Sequence, residues 1–427
     1  MLDIKFIREN VAAVKKAVKQ KGLKFDIDEL IVSDEKRREL IQKSESIRAE
    51  QKKTQDREKA TVLKSEFKEL EAELESIERD FMKLMVQVPN IPSEDTPVGK
   101  DEKDNVEVFR LGELPEFDFE PKDHVELAQN LDLIDFERGT KVAGYRGYYL
   151  KNEGAQLALA LMMFALNKMI AKGYHPMIPP TLVKGNALFG SGYFKGLEYD
   201  PEVDEIYEIA SKDREASGEQ SKEKKFLVGT AEPSLLAYYS NEILKEEDLP
   251  IRVAGFSQCY RSEIGSYGKD TRGLYRVHEF MKVEQVVIAP ADVAESDKLQ
   301  QEMTEITREI HANLGLPFRQ IQICTGDMGL GKYKMFDTEV WLPGSKRWAE
   351  TGSASNFLDW QARRLNIKYT TKDGEKKFAY LLNNTALPTP RPLIAILENY
   401  QTKEGTIRIP EVLIPYMGGK MEISKAT

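Results

Sequence analysis

Between Leu63 and Val88 the apolar residues keep strict heptad order. Leu63, Phe67, Leu70, Leu74, Ile77, Phe81, Leu84 and Val88 follow one another at spacings of 4-3-4-3-4-3-4. A stripe of that period runs along one side of a helix and has to be covered by another helix. The preceding stretch supplies one, because Leu40, Ile41, Ser44 and Ile47 start a weaker seam that fades into Gln51 and Thr54. Two antiparallel helices follow, each of roughly 20–28 residues and about 30–40 Å long. Their connecting tip is expected near Asp56–Thr61. The segment VPNIPSEDTPVG (Val88–Gly99) carries three prolines, which end the second helix and lead out of the arm.

Charge on this arm is polarised. Residues 36–68 hold 11 Lys or Arg and 6 Asp or Glu, a local +5, whereas residues 69–80 hold six acids and one Arg. Solvated i,i+4 pairs explain many such patterns, but the change of sign also makes the outer part attractive to a phosphate backbone. The whole chain carries −9, which argues against a bulk cationic nucleic-acid binder and leaves a local basic patch open.

The 427 residues leave room for two or three domains, and 41% hydrophobic residues make a globular chain. Two cysteines, Cys259 and Cys324, cannot make a disulfide framework, and with only four His they argue against a Cys/His zinc site. The opening MLDIKFIREN is charged and amphipathic, unlike a secretory signal. The longest apolar run, Leu157–Leu166, is too short to span a bilayer, so a soluble cytoplasmic protein is expected.

Beyond the arm, Glu153–Lys172 reads as a helix ended by Gly173, and Gly173–Leu182 as extended, with Pro179 and Pro180 barring a helix. Residues 200–225 suggest a hairpin with a long mobile tip outside the core. Strand-like runs recur near 226–229, 252–260, 276–289, 318–324 and 406–409, with a helix near 294–313. That order predicts an α+β unit, a mostly antiparallel sheet flanked by helices. There is no Walker-type or GxGxxG loop.

The most chemical stretch is RSEIGSYGKDTRGLYRVHEFMKVE (Arg261–Glu284). On extended backbone, residues two apart share a face, so Arg276, Phe280, Lys282 and Glu284 are expected to point one way, as are Arg261 and Glu263 on the preceding run. A cation for phosphate, an aromatic face for a base and carboxylates for amines or hydroxyls would then line one surface. Elsewhere, Pro390 and Pro392 suit a helix start that would aim Arg391 and free N–H groups at an anion. In WAETGSASN (Trp348–Asn356), Glu350 and Ser353 are hard oxygen ligands suited to Mg²⁺, although a polar turn with a capping Ser is the plainer reading. In GTAEPSLL (Gly229–Leu236), Thr230 and Glu232 read as a helix N-cap with an acid in its first turn. His278 and His311 lack partners at ligand spacing, and Cys259, Trp341 and Trp360 read as packing residues.

Taken together these segments resemble seryl-tRNA synthetases of the bacterial type, a class II aminoacyl-tRNA synthetase family, over essentially the whole length. GYHPMIPPTLV resembles motif 1, with a dimer-interface proline at Pro180; CYRSEIGSYGKDTRGLYRVHEF resembles motif 2; Leu387–Tyr416, with Arg391 and ENYQ, resembles motif 3. ICTGDMG (Ile323–Gly329) and FDTEVWLP (Phe336–Pro343) are similar to further family segments. The resemblance implies an arm domain at 1–105 and a catalytic domain at 106–427, a homodimer, and ATP-dependent activation of L-serine followed by its transfer to tRNA(Ser), and to tRNA(Sec) where one exists.

It also implies roles. Arg261, Glu263 and Arg391 would be the catalytic set. Thr230, Ala231, Glu232, Arg261, Glu284, Asn383 and Thr385 would bind serine. ATP would meet Arg261, Ser262, Glu263, Arg276, Val277, Phe280, Glu350, Thr351, Gly352, Ser353 and Arg391, with Glu350 and Ser353 on Mg²⁺ and no zinc. Lys43, Arg48, Lys52, Lys53, Arg57, Lys59 and Lys64 would track the long variable arm of the tRNA. The chain departs from the family pattern in a shorter hairpin, Gly352 in place of a common serine, Asn384 in place of a common glycine, and Ile414 in place of a frequent arginine. A paralogous ligase that charges a carrier protein would keep the catalytic motifs and lose the basic arm. A non-enzymatic tRNA-binding relative should lack at least one of Arg261, Glu284 and Arg391, and a coiled-coil scaffold needs no catalytic-sized α/β unit.

Overall fold

The computed structural model describes residues 1–210, 214, 217–264 and 272–425. Two short helices, α1 (Ile4–Glu9) and α2 (Val11–Gln20), precede the long pair α3 (Ile27–Lys53) and α4 (Arg57–Met85). The heptad seam faces α3 as expected, with Leu63 and Phe81 buried and Phe67, Leu70, Leu74 and Ile77 half-buried. The tip comes earlier than the spacing suggested, at Thr54–Asp56. Asp56 is the N-cap of α4, its carboxylate accepting from the Glu58 and Lys59 amides, so Thr61 is already helical. At the arm's base the buried Asp34 carboxylate accepts from Arg8, Arg37 and Arg38 at 2.7, 3.3 and 3.2 Å. This base has its own apolar core, built from Ile7, Val14, Ile27, Leu30, Phe81, Met85 and Val88.

The remainder centres on an eight-stranded sheet. Its strands are β1 (Val106–Leu111), β2 (His175–Met177), β3 (Ile251–Tyr260), β4 (Glu279–Ala289), β5 (Phe318–Gln322), β6 (Lys334–Leu342), β7 (Arg347–Asn356) and β8 (Tyr380–Pro388), in spatial order β1-β5-β6-β7-β8-β4-β3-β2. Every pairing is antiparallel except β2 with β3, which runs parallel. WAETGSASN is therefore strand β7, not a turn. Its small residues fit because it lies between β6 and β8, with Ala349 and Ala354 buried.

Helices α5 (Asn152–Ala171), α6 (Glu232–Tyr238), α7 (Val293–Asn313) and α8 (Pro390–Asn399) pack around this sheet. The faces of the sheet divide by alternation. Val283, Val287, Leu382 and Ala386 join the core with residues of α5 and α7, while Lys282, Glu284, Asn383 and Thr385 line a cleft. The helix α5 is 20 residues long and apolar enough, at mean hydropathy 1.4 over its best window, to cross a membrane by length and composition. The Leu157–Leu166 run understated it, and half of that window is buried within the fold.

The 200–225 segment forms the expected hairpin at its base, Tyr207–Ile209 pairing with Lys225–Leu227. The base is not outside the core: Ile206 and Phe226 are buried in a cluster with Val183, Leu188 and Phe194. Positions 211–213 and 215–216 of its expected mobile tip lie outside the described residues, as do 265–271 of the polar loop between the two motif 2 runs.

Candidate active site

The cleft has two connected halves that share Arg261, Lys282, Glu350 and Thr385. One half is cationic and aromatic, lined by Arg276, Val277, Phe280, Pro388 and Arg391, with Glu263 at its edge. The other is acidic and polar, lined by Glu232, Glu284, Asn383, Ser353 and Lys332.

Alternation on β4 brings Phe280, Lys282 and Glu284 to this cleft as expected. The arginines arrive differently. Arg261 and Glu263 lie past the end of β3 at Tyr260, and Arg276 lies before β4 begins at Glu279, so all three reach the cleft from loop backbone, not from a strand face. Glu263 adopts φ +56°, and its carboxylate meets Arg276 at 3.3 Å and the buried Arg146 at 3.8 Å. Arg261 is fixed at its backbone, its N–H donating to His278 O at 2.9 Å while His278 Nδ1 stands 2.8 Å from Arg261 O. Its guanidinium lies 5.5 Å from the Phe280 ring centre, with Nε donating to Gly229 O at 3.4 Å.

Arg391 stands in the first turn of α8, as the two prolines suggested, and donates to Glu350 O at 2.7 Å and Tyr275 O at 3.3 Å. Its Nη1 also lies 3.4 Å from Glu350 Oε2. In the acidic half, Asn383 and Gln361 both donate to Glu232 Oε1, at 2.7 and 2.6 Å. Burial, with the Glu284 charge behind it, pushes the Glu232 carboxyl up to about 7, and the Gln361 bond and Lys282 act against that rise. Glu284 is paired with Lys282 at 2.5 Å and accepts from Thr385 Oγ1 at 3.3 Å.

Some expected residues do not line the cleft with their side chains. Ala231 packs in an apolar cluster with Leu235, Val286 and Ile288. Thr230 is buried and does not cap α6; Ala231 is the cap residue, and the Thr230 hydroxyl only accepts from the Glu232 amide at 3.5 Å. Ser262 Oγ is buried without a hydrogen bond. Thr351 borders the cleft, but its hydroxyl turns away to His311 Nε2 at 2.8 Å. Burial lowers that histidine to about 4 and keeps it neutral. Asn384 points to the other face of the sheet, where its amide donates to Met303 O at 3.0 Å and Thr307 Oγ1 at 2.8 Å. A Cβ at Gly352 would meet the Thr385 carbonyl oxygen first, at 3.1 Å, with the methyl of the same Thr307 at 3.9 Å. These two departures from the family pattern thus share a neighbour behind the sheet.

The residues proposed for Mg²⁺ fit a hard cation that arrives with a phosphate. Ser353 lies opposite Asp337 in the β6–β7 ladder, and Ser353 Oγ and Asp337 Oδ1 are both buried without a normal hydrogen bond. Among the described residues no cluster of three or more His, Cys, Asp or Glu could hold a metal by itself. The protein thus offers a few oxygens near Glu350 and leaves the remaining positions to ligand oxygens and water. Asp337, Lys332, Gln361 and Arg146 escaped the sequence reading. Asp337, Gln361 and Arg146 face Ser353, Glu232 and Glu263 across the fold, and Lys332 is brought to the cleft by a loop held from the arm, so no local spacing announces them.

The comparisons agree with this geometry. Residues 1–92 match the seryl-tRNA synthetase N-terminal domain, and residues 214–400 match the tRNA synthetase class II core domain (G, H, P, S and T). The chain is 42% identical to the serine–tRNA ligase of Treponema denticola, covering 98% of this chain and 99% of that one. It is 40% identical to that of Deinococcus radiodurans, covering 98% of each. The crystal structure of seryl-tRNA synthetase from Pyrococcus horikoshii complexed with ATP superposes with a TM-score of 0.89 at 36% identity, covering 100% of both chains. That of the cytoplasmic serine–tRNA ligase from Naegleria fowleri in complex with AMP gives 0.86 at 31% identity, covering 100% of this chain and 99% of the other. An arm and a two-part cleft built as described, together with full-length relatives at this identity, mean that the chain belongs to the seryl-tRNA synthetase family.

Proposed function

We propose that the chain is an ATP-dependent serine–tRNA ligase. The observation that carries this reading is the junction of the two halves of the cleft at Arg261, which lets one guanidinium serve an amino acid and a nucleotide at once. In the first step a serine carboxylate oxygen attacks the α-phosphorus of ATP. The new O–P bond forms as the bond to the β-phosphate oxygen breaks, and pyrophosphate leaves. In the second step the terminal ribose hydroxyl of tRNA(Ser), or of tRNA(Sec) where one exists, attacks the acyl carbonyl and AMP leaves. Neither step needs a protein nucleophile; both need positioning and charge stabilisation.

In this reading Phe280 stacks on adenine, with Val277 beside it, and Glu263 meets the adenine edge. Arg276 and Arg391 take the outer phosphates. The pairs Arg276–Glu263 and Arg391–Glu350 keep these side chains at the cleft until phosphate competes for them. Glu350 and Ser353 would hold Mg²⁺, which supplies counter-charge to the phosphates. Glu232 and Glu284 take the serine ammonium and hydroxyl, with Asn383 and Thr385 completing the hydrogen bonds, and Thr230 and Ala231 contribute through the turn that sets Glu232. In this reading the chain divides at 105/106 into an arm domain and a catalytic domain, a division supported by the start of β1 at Val106. A homodimer is supported by the exposed apolar side chains Leu159, Met163 and Ile170 on α5 and Ile178 beyond the edge strand β2.

Serine-dependent ATP–pyrophosphate exchange, run in parallel with threonine, alanine and glycine and followed by charging of tRNA(Ser), tests the reading. Exchange with serine alone, then charging, is expected. Alanine leaves the buried polar groups unpaired, and threonine is excluded by size. Exchange without charging would favour the carrier-protein ligase, and no exchange with any of the four would sink the catalytic reading.

The Glu232 carboxyl gives a pH prediction. Raised to about 7 in the empty site, it is neutral below that pH and ionised above it. An ammonium binds the ionised form, so serine must displace a proton at lower pH. The KM for serine is therefore expected to rise as pH falls below about 7, by up to about tenfold per unit. A KM for serine that stays flat from pH 6 to 8 would remove Glu232 from this role.

A further inference from the structure

The loop Gly329–Lys332 begins at the last residue of the family-like segment ICTGDMG and runs on toward FDTEVWLP, and neither segment includes Lys332. The arm domain builds this loop into the cleft. Lys21, buried at the C-terminal end of α2, donates through Nζ to Gly329 O, Leu330 O and Lys332 O at 3.0, 3.0 and 2.7 Å. Asn90 adds a side-chain bond to Gly331 O at 3.1 Å and a backbone bond to Leu330 O at 2.9 Å. Gly331 packs so closely on Trp360 that a Cβ there would lie 2.6 Å from the indole. From the far side Tyr333 N–H donates to Asn356 O at 2.8 Å.

A loop held this firmly fixes where Lys332 points. Its side chain lines the acidic half of the cleft with Glu232, Glu350 and Ser353. Among the described residues the ammonium meets one acceptor, Met335 Sδ, at 3.0 Å. A thioether is a weak acceptor and an ammonium has three donors, so oxygen partners remain to be found. Burial lowers this ammonium below the usual lysine range, while the charges of Asp337, Glu232 and Glu350 act against that fall and Lys195 adds to it.

The other cations of this half are already engaged or distant. Lys282 is bound to Glu284 at 2.5 Å and donates to Thr385 Oγ1 at 3.2 Å. Lys195 stands exposed at the rim, and Arg364, which also lines this half, donates to Phe189 O at 2.9 Å and Val86 O at 3.1 Å. Arg261 is shared with the nucleotide half. Glu232 and Glu284 suit an ammonium and a hydroxyl, which leaves the carboxylate of an amino acid to Arg261, a cation it has to share with the nucleotide. The geometry points to Lys332 as a second cation for that carboxylate: it is a further serine-binding residue, acting beside Arg261 and aimed by a loop that Lys21 of the arm domain holds in place.

This inference rests on the ligase reading and deepens it. The test is Lys332→Met, which keeps the side chain's length and removes its charge, with Lys332→Arg as the charge-retaining partner. Serine-dependent exchange is measured with serine as substrate and with serine amide, which lacks the carboxylate, as competitive inhibitor. Lys332→Met should raise the KM for serine by about 10–100-fold, the usual weight of a charge-assisted hydrogen bond. The KM for ATP and the inhibition constant of serine amide should stay within about twofold, and Lys332→Arg should recover most of the loss. An unchanged KM for serine, or equal weakening of serine and serine amide, overturns the assignment; the second outcome would mean a general disturbance of the cleft. A loss confined to transfer onto tRNA, with exchange intact, overturns it as well. Wild-type protein inert with serine would defeat the ligase reading and this inference together, whereas an active wild type with an unaffected variant defeats the inference alone.

Discussion

Arg261→Met is expected to lower kcat/KM for serine-dependent ATP–pyrophosphate exchange by about 10³-fold or more, with little change in thermal stability. The size follows from its place. Arg261 is the one arginine that lines both halves of the cleft among the described residues, so a single substitution removes contacts to both reactants at the point where the new bond forms. Losing one preorganised donor at a developing charge costs about 10²–10³ in rate, and here the charge that aligns the two reactants goes with it. Stability should hold because, among the described residues, the guanidinium makes one long bond, to Gly229 O at 3.4 Å, and the neighbouring backbone is tied independently to His278. Arg261→Lys keeps the charge but not the planar fork and should restore only part of the activity. A loss below tenfold in the methionine variant would show that the reaction is aligned by other groups. Arg276 and Arg391 would then be the first to examine.

The chain declares much of this in advance, and the failures have identifiable causes. The heptad order of Leu63–Val88 specifies the arm because only a facing helix can cover such a stripe. Its tip was misjudged because the seam fades before the turn, while the signal that sets it is the single cap Asp56. The alternation of Phe280, Lys282 and Glu284 was legible because β4 is a regular strand there. Arg261, Glu263 and Arg276 were put on strand faces although they sit just outside the strands, where direction is set by loop backbone such as the φ of +56° at Glu263. β7 was hard to read because a strand with neighbours on both edges can afford small residues, and small polar residues also make turns. The resemblance to a family supplied Glu350 and Ser353 where local pattern favoured a turn. Lys21 and Lys332 were invisible for a different reason: Lys21 meets carbonyls about three hundred residues away, and only the fold brings them together.

Replacing Lys43, Lys52, Lys53, Arg57 and Lys64 by Gln together is expected to abolish most charging of tRNA(Ser) at moderate salt while leaving pyrophosphate exchange unchanged. These five are the arm cations, of the seven expected to meet tRNA, that form no ion pair among the described residues. Arg48 bridges to Glu71 at 3.4 Å and stacks on Phe67 at 4.6 Å, and Lys59 bridges to Glu50 at 2.7 Å. Those two help to hold the hairpin together, so they are kept in the variant to preserve the fold. If each of the five neutralises one phosphate, five counterions are released on binding, and the slope of log affinity against log salt should become shallower by about 4–5. Between 50 and 200 mM salt that corresponds to about 10²–10³-fold in affinity that the wild type loses and the variant never had. Exchange is a fitting control because the cleft lies in the other domain and the first step uses no tRNA. The contact from Lys21 to the Gly329–Lys332 loop is left intact, so a fall in exchange would mean that the outer arm communicates with the cleft. Charging that survives with the salt slope of the wild type would place the tRNA-binding surface elsewhere than on the outer arm.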